Sequence, residues 1–205
     1  MIILGNFIER FPQMFIDSKN LLPWEITAHL SEILFDKLTQ LDSHFSLCDG
    51  IAIHNSATIE TGAVLKAPII VNENCFVGAY AYLRSGVYLG KQVSIGPGCE
   101  IKTSIICNNS SLAHFNFVGD SIIGNNVNFE AGSIAANHFN ERNDKIITVK
   151  YNDAEIKTNT EKFGSLIGDN TKIGANAVLS PGTILPKKTI VKRLELIEQN
   201  PLTDS

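Results

Sequence analysis

The amino-acid sequence repeats an aliphatic residue at every sixth position from Ile53 onward. Six is a multiple of the two-residue period of a β-strand and does not match the helical period of about 3.6, so these side chains share one face only in extended chain. A second residue, mostly small or branched, follows each of them by four positions. Stacked hexapeptide units are typical of a parallel β-helix, in which only the stacking of coils closes the core. The first series is Ile53, Ile59, Leu65, Val71, Val77, Leu83, Leu89, Ile95, Ile101, Cys107 and Ala113, and the second is Ala57, Ala63, Ile69, Cys75, Ala81, Val87, Val93, Cys99, Ile105, Ser111 and Phe117.

The six-residue pattern is first interrupted after Ala113. Ten residues separate Ala113 from Ile123, where the period resumes, and ten is not a multiple of six. A deformed coil changes the direction in which its side chains point, so we expect functional residues at this interruption. The polar or small residues within it are His114, Asn116, Gly119 and Asp120.

The predicted domain organisation has three parts. Residues 1–50 form an N-terminal helical cap and linker, residues 51–193 form the β-helix, and residues 194–205 form a tail. The helix is predicted from Pro23 to Leu41, amphipathic and about four turns long, and we expect it to cover the open end of the solenoid. A polar loop insertion at about 137–165 is predicted to contain a protruding hairpin around Tyr151, Asn152 and Asp153.

Composition and charge exclude several classes of function. The net charge of -4 and the isoelectric point near 5.7 give no basic signature, so nucleic acid is not an expected partner. Neither a signal peptide nor a membrane span is predicted, and we expect a cytoplasmic protein.

The cysteines lack the C-x-x-C spacing of a zinc site, and Cys75, Cys99 and Cys107 are predicted to fill the coil interior. We expect no metal site.

Two cations are predicted to stack on the outside of the solenoid. If three hexads close one coil, residues eighteen positions apart are neighbours about 4.8 Å apart along the axis. Arg84 and Lys102 have this spacing, and each follows an inward aliphatic residue. A phosphate between them would relieve their repulsion. The alternative is a pair of solvated surface charges relieved by Glu100.

Three further side chains are candidates for catalysis or for substrate binding. His114 has the side chain of a general base, although a single histidine is also common in a structural role. Asn128 and Asn137 carry amides that both donate and accept hydrogen bonds and are suited to sugar hydroxyls or carbonyls. Asparagine is equally common at β-helix corners because it tolerates left-handed backbone angles. Periodicity alone leaves both interpretations open.

The run AHFNFVGDSIIGNNVNFEAGSIAAN resembles a motif of the left-handed β-helix acyltransferases. It is similar to the acetyltransferase domain of the bifunctional glucosamine-1-phosphate N-acetyltransferase and N-acetylglucosamine-1-phosphate uridyltransferase. The long loop and its ending TEKFGSLIGDN look more like the archaeal sugar-1-phosphate nucleotidyltransferase/acetyltransferases. The resemblance implies a left-handed β-helix and covers about residues 51–190; the nucleotidyltransferase domain of those enzymes has no counterpart in it.

The resemblance also implies a role for each candidate residue. His114 would deprotonate a sugar amine for attack on the thioester of acetyl-CoA, with Asn137 at the amine or acetyl group. Ala131 and Ala175 would offer their backbone to coenzyme A across a subunit boundary of a homotrimer, with no metal required. The substrate, a sugar phosphate, would be bound by Arg84, Lys102, Asn128 and the positions of Phe117 and Lys145.

Three positions depart from the family pattern. Phe117 replaces a tyrosine and removes one hydroxyl, a loss of about 1 kcal/mol. Glu130 replaces a glycine and adds a carboxylate, and Asn143 replaces a loop lysine whose role Lys145 could fill. The leading hypothesis is transfer of acetyl to the amine of an amino-sugar phosphate or nucleotide sugar, with a possible separate nucleotidyltransferase. The alternatives are a non-catalytic sugar-phosphate binding or regulatory module and an acyltransferase with a longer acyl donor.

Overall fold

The computed structural model describes residues 2–11, 15, 18 and 20–199, and in it the chain winds into a left-handed parallel β-helix. Parallel strands stack on three sides, which confirms the predicted fold class. The first side carries β2 (Ile51–His54), β5 (Ile69–Val71), β12 (Ile122–Ile123), β17 (Ser165–Ile167) and β20 (Thr183–Leu185). The second carries β3 (Thr58–Ile59), β6 (Phe76–Val77), β8 (Ser94–Ile95), β10 (Ser111–Leu112), β13 (Asn128–Phe129), β18 (Lys172–Ile173) and β21 (Ile190–Val191). The third carries β4 (Val64–Leu65), β11 (Phe117–Gly119), β14 (Ile134–Ala135), β19 (Val178–Leu179) and β22 (Leu196–Ile197).

Two longer strands turn the corner from the third side to the first: β7 (Tyr82–Leu89) and β9 (Glu100–Ile106). In β7 the register shifts between Arg84 and Val87, where Ser85 and Gly86 both have left-handed backbone angles. In β9 the same corner has Thr103 alone at positive φ. The corner of β9 is therefore one residue shorter.

Because this corner is shorter, the prediction of which residues face inward is wrong after Ile101. The next inward residue is Ile106, five positions later, and Leu112 and Val118 follow. A second shortening at Asp120 makes Ile123 the next inward residue. Cys107 and Ala113 are therefore outside the coil interior, and the second inward series continues as buried Ser104, Ser110 and Asn116 instead of Ile105, Ser111 and Phe117.

Burial opposes ionisation of the Cys75 and Cys107 thiols. Cys75 and Cys99 lie in the coil core as predicted, whereas Cys107 lies in the cluster outside the first side. Burial raises the pKa of the Cys75 thiol to about 11 and also raises the pKa of Cys107. These thiols remain protonated at neutral pH.

The first side carries an apolar row on its outer surface. Its members follow one another rung by rung and are all buried. They are Ala52, Ile70, Tyr88, Ile105, Ile122, Leu166 and Ile184. Such a row needs a cover, because each exposed aliphatic side chain would forgo about 1.5–3 kcal/mol of burial.

The N-terminal segment is that cover. The helices are α1 (Leu4–Phe7), α2 (Pro23–Ala28) and α3 (Leu30–Leu38), and the last two are separated at His29. They pack on the flank, where the Ser31 hydroxyl donates to the Ser85 carbonyl at 3.1 Å and the Phe15 ring meets Tyr88 edge-on at 5.1 Å. The prediction of one helix across the open end of the solenoid is wrong, because the outer apolar row binds the helices to its side.

Both ends of the solenoid also differ from the prediction. Strand β1 (Phe45–Cys48), inside the predicted linker, pairs antiparallel with β2 and occupies the edge of the first coil. At the other end, β22 pairs with β19, so the coils continue beyond the predicted boundary at residue 193.

The loop insertion does contain a hairpin, formed by β15 (Thr148–Tyr151) and β16 (Ala154–Lys157). It does not simply protrude. Ile147 and Val149 are fully buried, and the Tyr151 ring lies 5.6 Å from that of Phe7. The hairpin thus folds back and extends the cover of the first side. Within the described residues, no helix is long and apolar enough to cross a membrane.

Close stacking of the coils leaves no room for a side chain at Gly96. A β-carbon there would lie 1.6 Å from the carbonyl oxygen of Ala113 in the next coil, whereas one at Gly5 would meet nothing within 4 Å. We expect Gly96→Ala to lower the free energy of unfolding by about 1–3 kcal/mol. Urea unfolding at fixed protein concentration measures this, with Gly5→Ala as control. Equal stability of Gly96→Ala and wild type would contradict the coil stacking.

Candidate active site

The two predicted cations do stack on the third side. Arg84 in β7 and Lys102 in β9 are direct register partners. Each also has a carboxylate partner: the Arg84 guanidinium donates to Glu100 Oε1 at 2.7 and 2.8 Å, and Lys102 Nζ lies 2.7 Å from Asp120 Oδ2. The spacing therefore predicted the stacking correctly, and the relief of Arg84 by Glu100 is present as well.

Asp120 joins Lys102 to Asn137. Its buried carboxylate accepts from Lys102 Nζ and, through the same oxygen, from the Asn137 amide. Gly119 makes this possible, because a β-carbon there would lie 2.7 Å from the Asn137 side chain. Lys102, Asp120 and Asn137 thus form one polar cluster at the end of the third side.

His114 lies at the opposite edge of the third side, on the corner shared with the second side. Its side chain is exposed, and its carbonyl accepts from the Gly132 amide. Backbone hydrogen bonds link the same corner position in successive coils: the Asn176 amide donates to Ala131, and the Leu194 amide to Ala175. The structure therefore places His114, Ala131 and Ala175 in one column along this corner.

Phe117 lies between His114 at the corner and the polar cluster that contains Lys102. It is half-buried on the outer face of β11, next to Glu100 in the register, and its ring approaches Gly119. From Phe117 to Gly119, the register partner of Lys102, the strand advances about 7 Å. His114 lies three residues before Phe117 in the chain, so Phe117 separates it from the cations.

Glu130 is already engaged below His114. Its Oε2 accepts the Ala175 amide hydrogen at 2.9 Å, and both of its oxygens accept from the Arg193 guanidinium at 2.9 Å. The hydrogen bond from Arg193 is the main cause that holds the pKa of Glu130 below its ordinary value, with the Ala175 amide second. The contact therefore favours the folded state above that ordinary value and is lost as the pH falls through the lowered one.

Asn128 lies on the second side in a shallow cleft of about 760 Å³ beside Glu130. Three cations, Lys172, Lys192 and Arg193, also line this cleft. Lys145 lies in the loop insertion, half-buried, and its side chain forms no hydrogen bond or ion pair with the described part of the chain. The structure brings neither Asn128 nor Lys145 into contact with the polar cluster.

Sequence reasoning missed the importance of Asp120. Its spacing of eighteen from Lys102 was a signal of proximity, although Gly119 and not Asp120 is the register partner of Lys102. Arg193 gave no such signal, since its partner Glu130 is 63 positions away, across the loop insertion. Over the described ranges, no three histidine, cysteine, aspartate or glutamate side chains are grouped to hold a metal ion.

Comparison with known families shows where the chain belongs. The family described as the GMPPB C-terminal domain matches residues 67–200. The chain belongs to this family. The predicted resemblance is confirmed, because the curated relatives include the bifunctional protein GlmU of Methanococcus vannielii, 29% identical over 87% of this chain and 43% of that protein.

Other similar proteins carry related names. The bifunctional sugar-1-phosphate nucleotidylyltransferase/acetyltransferase of Sulfurisphaera tokodaii is 30% identical over 78% of this chain and 41% of its own length. The chain thus spans under half the length of these relatives. Among solved structures, a mutant perosamine N-acetyltransferase from Caulobacter crescentus with CoA and GDP-perosamine aligns with 70% of this chain and 53% of its own, at 14% identity and a TM-score of 0.28.

Proposed function

We propose that this member of the GMPPB C-terminal domain family is an acetyltransferase that transfers acetyl from acetyl-CoA to the amine of a sugar carrying a phosphate or nucleotide. The observation that carries the proposal is the third side of the solenoid. Arg84 and Lys102 stack at one edge of it, where a phosphate would displace their carboxylate partners Glu100 and Asp120, and His114 is exposed at the other edge. The name of the Sulfurisphaera tokodaii relative includes acetyltransferase, which supports the same reaction.

In the proposed reaction the sugar amine attacks the carbonyl carbon of the thioester. His114 takes the proton that the amine loses, and the carbon–sulfur bond breaks as the tetrahedral intermediate collapses. The coenzyme leaves as a thiolate and accepts a proton, which the imidazolium can return. Asn137, held by Asp120, would orient the sugar, and Arg84 with Lys102 would bind its phosphate in exchange for their present carboxylates.

Glu130 would compete with the coenzyme for the Ala175 amide. We expect Glu130→Gly to tighten coenzyme A binding about two- to tenfold, because the freed amide becomes available for one hydrogen bond. Isothermal titration with coenzyme A measures the change, and Glu161→Gly in the loop is the control. Unchanged or weaker binding by Glu130→Gly would contradict the assignment of Ala175.

We infer that the active form is a homotrimer. Three large side chains on the corner that carries His114 are mostly exposed in one chain: Tyr80 at 77%, Phe115 at 72% and Leu194 at 79%. An apolar corner of this kind is suited to an interface, and a neighbouring chain there would enclose His114. Light scattering should give three times the chain mass of 22.4 kDa, and the mass of a single chain would contradict the inference.

A second candidate function is a sugar-phosphate binding module without turnover. Phe117 offers no hydroxyl, and Glu130 occupies the Ala175 amide, which favour binding without efficient transfer. A separate nucleotidyltransferase would then use the bound sugar. We also propose that either function is cytoplasmic.

The test of the proposed function is acetyl transfer itself. The protein is incubated with acetyl-CoA and a series of amino-sugar phosphates and nucleotide amino sugars, and both thiol release and the acetylated product are followed. An acetyltransferase releases thiol in proportion to product. Stabilisation by sugar phosphates with no transfer to any of these amines would instead establish the binding module.

A further inference from the structure

A third cation extends the stack of Arg84 and Lys102. Lys66 precedes Arg84 by eighteen positions and directly follows Leu65, which pairs with Leu83. Its amide donates to the Leu83 carbonyl at 2.8 Å, so Lys66 occupies the rung above Arg84. Lys66, Arg84 and Lys102 therefore stand in one column with a rung spacing of about 4.8 Å.

The Tyr82 ring holds the upper two cations together. Lys66 Nζ lies 5.1 Å from the ring centroid and the Arg84 guanidinium carbon lies 5.6 Å from it. Both distances are within the range of a cation–π interaction. The ring thus keeps two positive groups close to each other that would otherwise separate.

Lys66 differs from the lower two cations in its charge balance. Arg84 has Glu100 and Lys102 has Asp120, but no carboxylate of the described residues lies within ion-pair distance of Lys66. The Lys66 side chain is also exposed. An anion that binds the column would therefore gain most of its binding free energy from Lys66, because no carboxylate has to be displaced there.

The two ends of this column of cations have different neighbours. Asn137 and Asp120 lie below Lys102, on the side of the column toward His114's coil, and Lys66 lies at the far end. A sugar whose ring contacts Asn137 places its own phosphate at Lys102 and Arg84. The next group along the molecule then reaches Lys66, where the ammonium group would bind a second phosphoryl group.

We propose that Lys66 is a specificity-determining residue that binds the second phosphate of a diphosphate, so that the acceptor is a nucleoside-diphosphate amino sugar rather than a sugar monophosphate. This inference rests on the proposed function for the position of the sugar. The chemistry that it assigns to Lys66 is independent of acetyl transfer and of the base of the nucleotide.

The test compares binding of inorganic pyrophosphate and inorganic phosphate by calorimetry at one salt concentration. Wild type should bind pyrophosphate more tightly, and Lys66→Ala should lose about five- to tenfold of that advantage. Lys150→Ala, which removes an equal charge from the exposed face of the hairpin, should keep it. Thermal melting checks that both variants are folded.

Two results would overturn the inference: equal affinity of wild type for the two anions, or an unchanged preference in Lys66→Ala. Neither would affect the proposed function if acetyl transfer still depends on His114. Conversely, a preference that depends on Lys66, without transfer to any amino sugar, would overturn the proposed acetyltransferase and leave the diphosphate site standing.

Discussion

Replacing His114 by alanine is expected to reduce acetyl transfer by about 10²–10⁴-fold, the usual contribution of a general base. The side chain is exposed and donates no hydrogen bond to the described residues, so its removal leaves the fold intact. The melting temperature should therefore match that of wild type. Initial rates of thiol release at saturating acetyl-CoA measure the effect on turnover.

The matched control is His29→Ala, another exposed histidine, at the junction of α2 and α3. Its rate should remain within twofold of wild type. A His114→Ala enzyme with full activity would show that the base is elsewhere, whereas a parallel loss in His29→Ala would point to a general effect on the assembly.

The largest expected effect on stability is that of Phe129→Ala. Phe129 is fully buried, and it stacks between Leu112 in the coil above and Ile173 in the coil below. Truncation leaves a cavity that stacked backbones are poorly placed to fill. We expect the free energy of unfolding to fall by about 3–5 kcal/mol.

Phe35→Ala is the control for this stability measurement, because Phe35 is 51% exposed on α3. It should cost no more than about 1 kcal/mol. Chemical unfolding of both variants is compared at equal protein concentration. Similar small losses in the two variants would mean that Phe129 does not lie inside the coils.

The sequence predicted the repeating architecture well because the period of six is encoded in every coil. It predicted less well where a coil is one residue shorter, since the alternation of β-strands allows either Ile105 or Ile106 to face inward. Both are buried, one under the N-terminal helices and one in the core. Because both faces of this strand are buried, hydrophobicity alone does not show which of its residues point into the coil.

The stacking of the site residues was predicted in part, because the regular repeat of the coils gives stacked residues a shared spacing. A shared spacing of eighteen found Arg84 and Lys102, and it applies equally to Lys66. Asp120 also follows Lys102 by eighteen positions, but the shortened corner makes Gly119 the register partner of Lys102. Contacts that cross the loop insertion, such as that of Glu130 with Arg193, have no fixed spacing and required coordinates. The flank position of the helices likewise depends on an outer apolar row whose members are assembled only by the winding of the chain.

The most direct test of the central claim is a crystal structure with a nucleoside-diphosphate amino sugar bound. The two phosphates should lie beside Lys66, Arg84 and Lys102, with the sugar amine within hydrogen-bond distance of a ring nitrogen of His114. Phosphates bound instead in the cleft of Lys172 and Lys192, with the amine remote from His114 of every subunit, would contradict the assignment of the third side as the site of acetyl transfer.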